Sequence, residues 1–315
     1  MASTTDTMTD FVALLASIAR GEAADFIHLL TEYHDPIEVA GTRTTLRTHF
    51  ITSDANGTPA TELLSGAMAS AMVDFCIPRS RIQRAHQSLV KTGSSAEMTR
   101  LALQARDLFV DLDGTGEGGE LLLFLLMERL LKLPQLIAKM TLKTSSNMHV
   151  HGSDGVHGRF GADGVLDLYW GESKLHKSAS SAFSECFKSI GPFLGADGDA
   201  RKRDLLLLRD QMNVVEEDLA VHLLEYFDPS NPKALEVRWN GVCLVGFDYS
   251  AYPDIKKASE EQGALIDKGL HSWMSMVTNG LTKHILSGVN IDVFCIPFPD
   301  VDEFRKKLRH TLGLK

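Results

Sequence analysis

Two carboxylates and an amine, Asp154, Glu172 and Lys174, stand in an order that suits work on a metal-bound phosphodiester. Carboxylate oxygens match Mg2+ or Mn2+, hard cations that keep several waters for a phosphate to displace. On that expectation Asp154 and Glu172 are metal ligands. The cation would lower the pKa of a bound water and neutralise charge on the phosphate. Lys174 would position that water and offset negative charge in the transition state. Its two acidic neighbours favour the ammonium form, so the lysine is not expected to be the proton acceptor.

Such chemistry requires elements that bring the three side chains together. Residues 165–174 (VLDLYWGESK) follow a Gly-Ala-Asp-Gly turn and mix β-branched, aromatic and aliphatic side chains, which predicts a strand. Strand side chains alternate between faces, so Glu172 and Lys174 project the same way. Asp154 sits in 148–158 (MHVHGSDGVHG), where Gly152 and Gly155 allow a sharp bend and close approach of a ligand. With 23% charged residues in the chain, an isolated Glu-x-Lys is usually a solvated strand face. Here it ends an apolar run, follows an Asp in a glycine-rich bend and precedes a helix predicted over 178–190.

The order of an acidic helix, Asp154, then Glu172-Ser173-Lys174 and a further helix resembles the PD-(D/E)XK nuclease superfamily. Ser153 stands where that motif often has proline. More closely, GSDGVH (152–157), GESKLH (171–176) and IPFPDVDEFR (296–305) look like the HamA nuclease-subunit family of the Hachiman anti-phage defence system. The resemblance implies an α/β (α+β) fold, a restriction-endonuclease-like mixed sheet flanked by helices. It also implies a Mg2+- or Mn2+-dependent nuclease acting on DNA, and a superfamily 2 helicase subunit (HamB) as the partner that restrains it. A third acid on the helix before the first core strand belongs to the same pattern, and Glu120 is its candidate. Glu120 opens 120–133 (ELLLFLLMERLLKL), an apolar segment expected to be deeply buried. Its structural alternative is favourable placement at the positive end of the helix dipole.

Other readings compete. His149, His151, Asp154 and His157 suggest zinc, but the spacing His-x-His-x-x-Asp-x-x-His breaks the metallo-β-lactamase pattern and no later ligand set follows. These histidines are instead expected on strand faces near the site, with His157 able to contact a phosphate. Lys188 is a second candidate for DNA contact, against the alternative of a solvated lysine. The loop 111–120 (DLDGTGEGGE) suggests a calcium loop through Asp111, Asp113 and Gly116, but position five is Thr115 and position twelve is Leu122 where a bidentate Glu is required. A non-enzymatic subunit that keeps a nuclease-like fold to hold DNA or a helicase is the competing functional class.

Composition sets bounds on these readings. With 315 residues and 44% hydrophobic content the chain buries one large core or two smaller ones. The first ten residues are polar and carry no secretory pattern, and no uncharged apolar stretch has transmembrane length. Cys76, Cys186, Cys243 and Cys295 are far apart in apolar contexts, as expected of buried free thiols in a reducing cytoplasm. A net charge of −9 is awkward for a DNA enzyme, because Lys and Arg contacts to phosphate supply most non-specific affinity. Either basic patches are local or a partner delivers the substrate.

Along the chain, 11–20, 23–33, 61–76 and 96–110 are predicted helical, and 37–52 is predicted to form strands. A mostly helical accessory or partner-docking layer is expected over 1–95, ahead of a nuclease-like domain over 96–315. Later, 204–227 is a long amphipathic helix candidate, and 234–249 is expected to hold a strand pair or a bent strand around Asn240-Gly241, the strongest hairpin signal. Residues 290–298 suit a buried strand, and 302–312 a terminal helix with basic residues in its last turns.

Overall fold

Three apolar runs, LDLYWGESKLH, VRWNGVCLVGFD and NIDVFCIPF, form the centre of the molecule because strands buried on both faces need apolar side chains in both alternating sets. A computed structural model describes residues 4–109, 116–142, 153–195, 199–252 and 259–314. His149, His151 and the aspartates of the calcium-loop reading lie outside the described residues. The strands are β1 (Leu30–Glu32), β2 (Ile37–Glu38), β3 (Thr44–Ile51), β4 (Gly155–Phe160), β5 (Leu166–His176), β6 (Val237–Asp248) and β7 (Asn290–Phe298). They join in one sheet of order β1-β3-β7-β6-β5-β4, with β2 also on β3. The pairs β5/β6, β6/β7 and β3/β7 are parallel, whereas β4 runs antiparallel to β5. The mixed sheet is flanked by helices on both faces, as the sequence predicts.

Around it lie α1 (Thr4–Ser17), α2 (Thr61–Ser70), α3 (Met72–Cys76), α4 (Arg79–Thr92), α5 (Ala96–Leu108), α6 (Glu117–Leu125), α7 (Ala179–Leu194), α8 (Asp199–Gln211), α9 (Glu217–Phe227), α10 (Ser259–Lys283) and α11 (Val301–Thr311). The sheet alternation divides the interior into two cores. Leu168 and Trp170 of β5, Cys243 and Val245 of β6 and Val293 of β7 pack under α1, α7, α8, α9 and α10. Tyr169, Leu175, Val242, Leu244 and Phe294 face the opposite side, under α2, α3, α5, α6 and α11. Parallel neighbours require long crossovers, and α7 to α9 and then α10 supply them. All four cysteines are buried and none forms a disulfide. Among the described residues no helix is long and apolar enough to cross a membrane.

β3 belongs to the first 95 residues yet pairs with β7, so the N-terminal layer adds strands as well as helices to the sheet. Residue 95 lies in the turn between α4 and α5. The outer edge of β4 is covered by 134–136: Leu136 N–H donates to Val156 O at 2.8 Å, and Gly158 N–H donates to Pro134 O at 3.2 Å. Covering that edge removes a row of unpaired backbone groups beside the candidate site.

Several elements differ from the sequence reading. Of the strand pair and the bent strand expected over 234–249, the structure has a single strand, with Asn240-Gly241 in the interior of β6, hydrogen-bonded between β5 and β7, and no hairpin turn there. A Cβ on Gly241 would stand 2.7 Å from Leu194 Cδ1 and 3.1 Å from Ile190 Cδ1, so the glycine serves close helix approach. The Asn240 side chain donates to Leu168 O at 3.3 Å and accepts from Asn290 Nδ2 at 3.1 Å. Residues 23–29 form two short 3-10 turns and 30–32 a strand, because pairing with β3 overrides helix propensity. The 204–227 segment breaks between α8 and α9, where buried Asn213 turns its backbone outward. Its N–H donates to Leu136 O at 2.7 Å, and its carbonyl accepts from Arg79 Nε at 2.9 Å.

Candidate active site

The β4/β5 register, with Gly155 opposite Gly171, brings Asp154 beside Glu172 one position beyond the last pair. The Asp154 N–H donates to Gly171 O at 2.9 Å, which ties the bend to the strand. On β5, Glu172 and Lys174 alternate with Ser173 and Leu175, and they share the face of Trp170 that α7 covers. Ser178 caps α7 by accepting from the Ser181 N–H, and Ala182, Phe183, Cys186, Phe187 and Ile190 form the buried stripe that seats the helix. Glu172 is buried and Lys174 half-buried, and the Lys174 ammonium donates to Glu172 Oε1. Asp154 is held from the strand as well: the Ser173 N–H and Oγ–H both donate to its Oδ2 at 2.7 Å. Ser173, the middle residue of the triplet, is a contributor that motif spacing alone did not mark.

Electrostatics follow from this crowding. Burial, and then the negative charge of Asp154, push the Glu172 carboxyl up to about 8, against the opposing pull of the Lys174 ammonium and a hydrogen bond from Ser189. Asp154 is also raised, chiefly by burial, and Lys174, the Ser173 donors and Lys139 limit the rise. Asp154 keeps some surface, yet its carboxylate is set deep among protein atoms. Burial works against the Lys174 ammonium too, but Glu172 and Asp154 outweigh it and hold the pKa above the ordinary lysine value. Lys174 is therefore a fixed cation at neutral pH. Two carboxylates that repel each other where burial removes solvent screening form a strained charged cluster.

The remaining sequence candidates are placed differently. Glu120 lies in the first turn of α6, half-buried, with its Oε1 3.4 Å from where a Cβ on Gly116 would stand. A Cβ on neighbouring Gly119 would lie 3.0 Å from Ser173 Oγ and 3.3 Å from Leu175 Cγ, so α6 packs behind Ser173 on the face opposite Glu172 and Lys174. Among the described residues no group of three His, Cys, Asp or Glu side chains is gathered as a ligand set. The β4/β5 register sets Asp154 against Glu172, and Glu120 sits on α6, the helix packed on the Ser173 side of β5. Glu117, in the same turn, is the more deeply buried acid at 3% exposure, and its place one turn before the apolar run was its only sequence signal. His157 is 1% exposed, with Nδ1 2.7 Å from Leu133 O and 3.8 Å from Glu128 Oε2. Burial pushes its pKa down to about 4, and in this position it offers no ring surface to a phosphate. Lys188 is exposed on α7, adjacent to Ser189.

Behind β4 lies a buried polar hub that sequence reasoning missed. α6 passes into a π turn at Leu126–Leu130, and there Glu128 accepts from Arg20 Nε at 3.1 Å, Arg79 Nη2 at 3.0 Å and the Gln135 N–H at 2.6 Å. It joins the segment that follows α1, the start of α4 and the 134–136 cap in one network. The charges are more than a hundred residues apart in the chain for Arg20 and Glu128, so no local motif announces them.

A mixed α/β sheet that carries paired carboxylates and a lysine at the antiparallel-to-parallel switch defines the class: an α/β protein with a buried charged cluster near a sheet edge. The family model for HamA matches residues 25–312, and the chain belongs to the HamA family, a component of Hachiman anti-phage defence. The match runs through the N-terminal layer and the sheet alike. No curated protein matches the sequence.

Proposed function

We propose that this chain is the metal-dependent nuclease of a Hachiman anti-phage system, with a PD-(D/E)XK site that hydrolyses DNA phosphodiester bonds. The observation that carries the reading is the adjacency of Asp154 and Glu172 with Lys174 on the same strand face, together with a Glu172 pKa near 8 caused by burial and Asp154. Mg2+ is commonly held by one or two carboxylates plus waters and substrate phosphate, so a two-carboxylate site suits it without a third protein ligand. Bound there, Mg2+ or Mn2+ would supply charge neutralisation on the phosphate and a more acidic attacking water. Asp154 and Glu172 orient the cation, and Ser173 holds the Asp154 carboxylate in place. Lys174 stabilises negative charge that grows in the transition state. Glu120 is assigned as an auxiliary acid that approaches from α6, behind Ser173. The net charge of −9 and the family together support a superfamily 2 helicase partner that delivers DNA and restrains the nuclease.

The test is incubation with plasmid DNA and Mg2+, with and without the helicase partner, for the wild type, Asp154→Ala and Lys174→Ala. Metal-dependent cutting in the wild type and its loss in both variants is the expected result. Equal DNA loss in all three would indicate a contaminating enzyme, and no loss under any condition would favour the non-catalytic scaffold.

A further inference from the structure

Asp154 leads into β4 between Ser153 and Gly155, and Ser153 occupies the position where a proline would have fixed the backbone. A buried polar cluster grips this point of the chain. Lys139 Nζ donates to Ser153 O at 2.9 Å and Ser153 Oγ at 3.1 Å, and to Asp204 Oδ1 and Oδ2 at 3.1 and 3.0 Å. Asp204 Oδ2 also accepts from Trp170 Nε1 at 3.0 Å, and lies 3.0 Å from Ser153 Oγ. Ser153 Oγ is further placed 3.1 Å from Gly155 O. Exposure is 7% for Lys139, 3% for Ser153 and 1% for Asp204, so none of these bonds is shared with bulk water.

A buried ion pair is poor evidence of stabilisation, since desolvation of both charges offsets much of their attraction and apolar residues of similar volume fill such space as well. What this cluster supplies is direction. Its bonds end on Ser153 and Gly155, the residues on either side of Asp154, and on Trp170, two residues before Glu172. We propose that Lys139 and Asp204 are positioning residues for Asp154, a clamp acting through Ser153 that replaces the rigidity a proline would give and fixes the Asp154 carboxylate relative to Glu172. The proposal rests on the reading of Asp154 as a metal ligand. The clamp makes the site depend on α8, which lies beyond α7 in the chain and contributes no group to the chemistry itself.

The experiment uses the full chain and two readouts. Mn2+ affinity by calorimetry reports the ligand pair, and hydrogen exchange of peptides spanning 153–160 reports the bend with no metal present. Asp204→Asn and Ser153→Ala are expected to weaken Mn2+ binding by about 10–100-fold, the range seen when groups supporting a ligand are removed, and to speed exchange across the bend. Glu128→Gln, which disturbs the separate buried hub, serves as the control. It is expected to lower the melting temperature while Mn2+ affinity changes less than about twofold. If Asp204→Asn does not fold, Ser153→Ala, which leaves the Lys139–Asp204 pair intact, decides the matter alone. Wild-type exchange and affinity in the folded variants would overturn the clamp. Faster exchange in the variants with no Mn2+ binding by the wild type would leave the clamp standing and remove the metal-site reading.

Discussion

A divalent cation entering the Asp154–Glu172 pair must displace the proton that crowding places there. With the Glu172 pKa raised to about 8, most sites hold a proton at pH 7 and below that the cation must displace. Apparent Mn2+ affinity should therefore rise with pH, by up to about tenfold per unit well below that pKa, and level off above it, and binding at pH 7 should release about one proton per metal. Calorimetry in buffers of different ionisation enthalpy measures that proton directly. Lys174→Met sharpens the test, because the ammonium opposes the upward shift. Without it the Glu172 pKa rises further, and the pH at which affinity levels off moves up with it. Affinity that stays flat from pH 6 to 8, or binding without proton release, would refute the argument that the two carboxylates are close and poorly hydrated. Glu172→Gln should bind more weakly and lose the pH dependence.

The same crowding affects folding stability. Glu172 binds its proton more tightly folded, at about 8, than at its ordinary value of 4.5, so the unfolded state holds fewer protons between these values and stability falls as pH rises through that window. His49 and His157 act oppositely: burial depresses both to about 4, and stability is lost as pH falls from about 6.5 toward 4. Thermal melting of the metal-free protein should accordingly decline from about pH 6.5 to 8, and Glu172→Gln should flatten that decline. Glu128→Ala leaves Arg20 and Arg79 buried without their carboxylate and should cost about 3–5 kcal/mol, read by chemical denaturation. Gly241→Ala forces a methyl against Leu194 and Ile190 and should cost about 1–3 kcal/mol. A neutral Gly241→Ala would count against the close approach of α7 to β6.

What could be read from sequence was what local chemistry decides. The run that ends in Glu172-Ser173-Lys174 has strand composition, Ser178 has the right type and place for a cap, and 290–298 with its prolines was legible as β7. The pairing of Asp154 with Glu172 was inferable because a turn at 161–164 between two strands returns one beside the other. Asn240-Gly241 misled because a dipeptide suited to a turn suits equally a strand that a helix must approach closely. Only the packing of Ile190 and Leu194 distinguishes the two cases. Asn213 was invisible for a related reason: its backbone leaves the helix to bond Leu136 and Arg79, partners set by tertiary structure.

The candidate site divides along the same line. Asp154 and Glu172, two of the three residues expected to touch the metal, lie within one strand pair, where register follows from a short turn, so their spacing carries information, whereas the third, Glu120, comes from α6. Of the groups that hold them, Ser173 shares that strand pair, but Lys139 and Asp204 do not. Ser173 binds Asp154 through its own backbone and hydroxyl, Lys139 comes from a turn before the bend, and Asp204 from a helix after β5. Buried charges of this kind persist only when each meets a partner, because an unpaired one costs several kcal/mol. Lys139 and Asp204 therefore constrain each other although sixty-five residues separate them. A loss of either is expected to act on Asp154 through Ser153 rather than on the sheet, whose strands remain paired by their own backbone bonds. This separates the two roles experimentally: changes at Gly241 or Glu128 should move stability first, and changes at Asp204 should move metal affinity first.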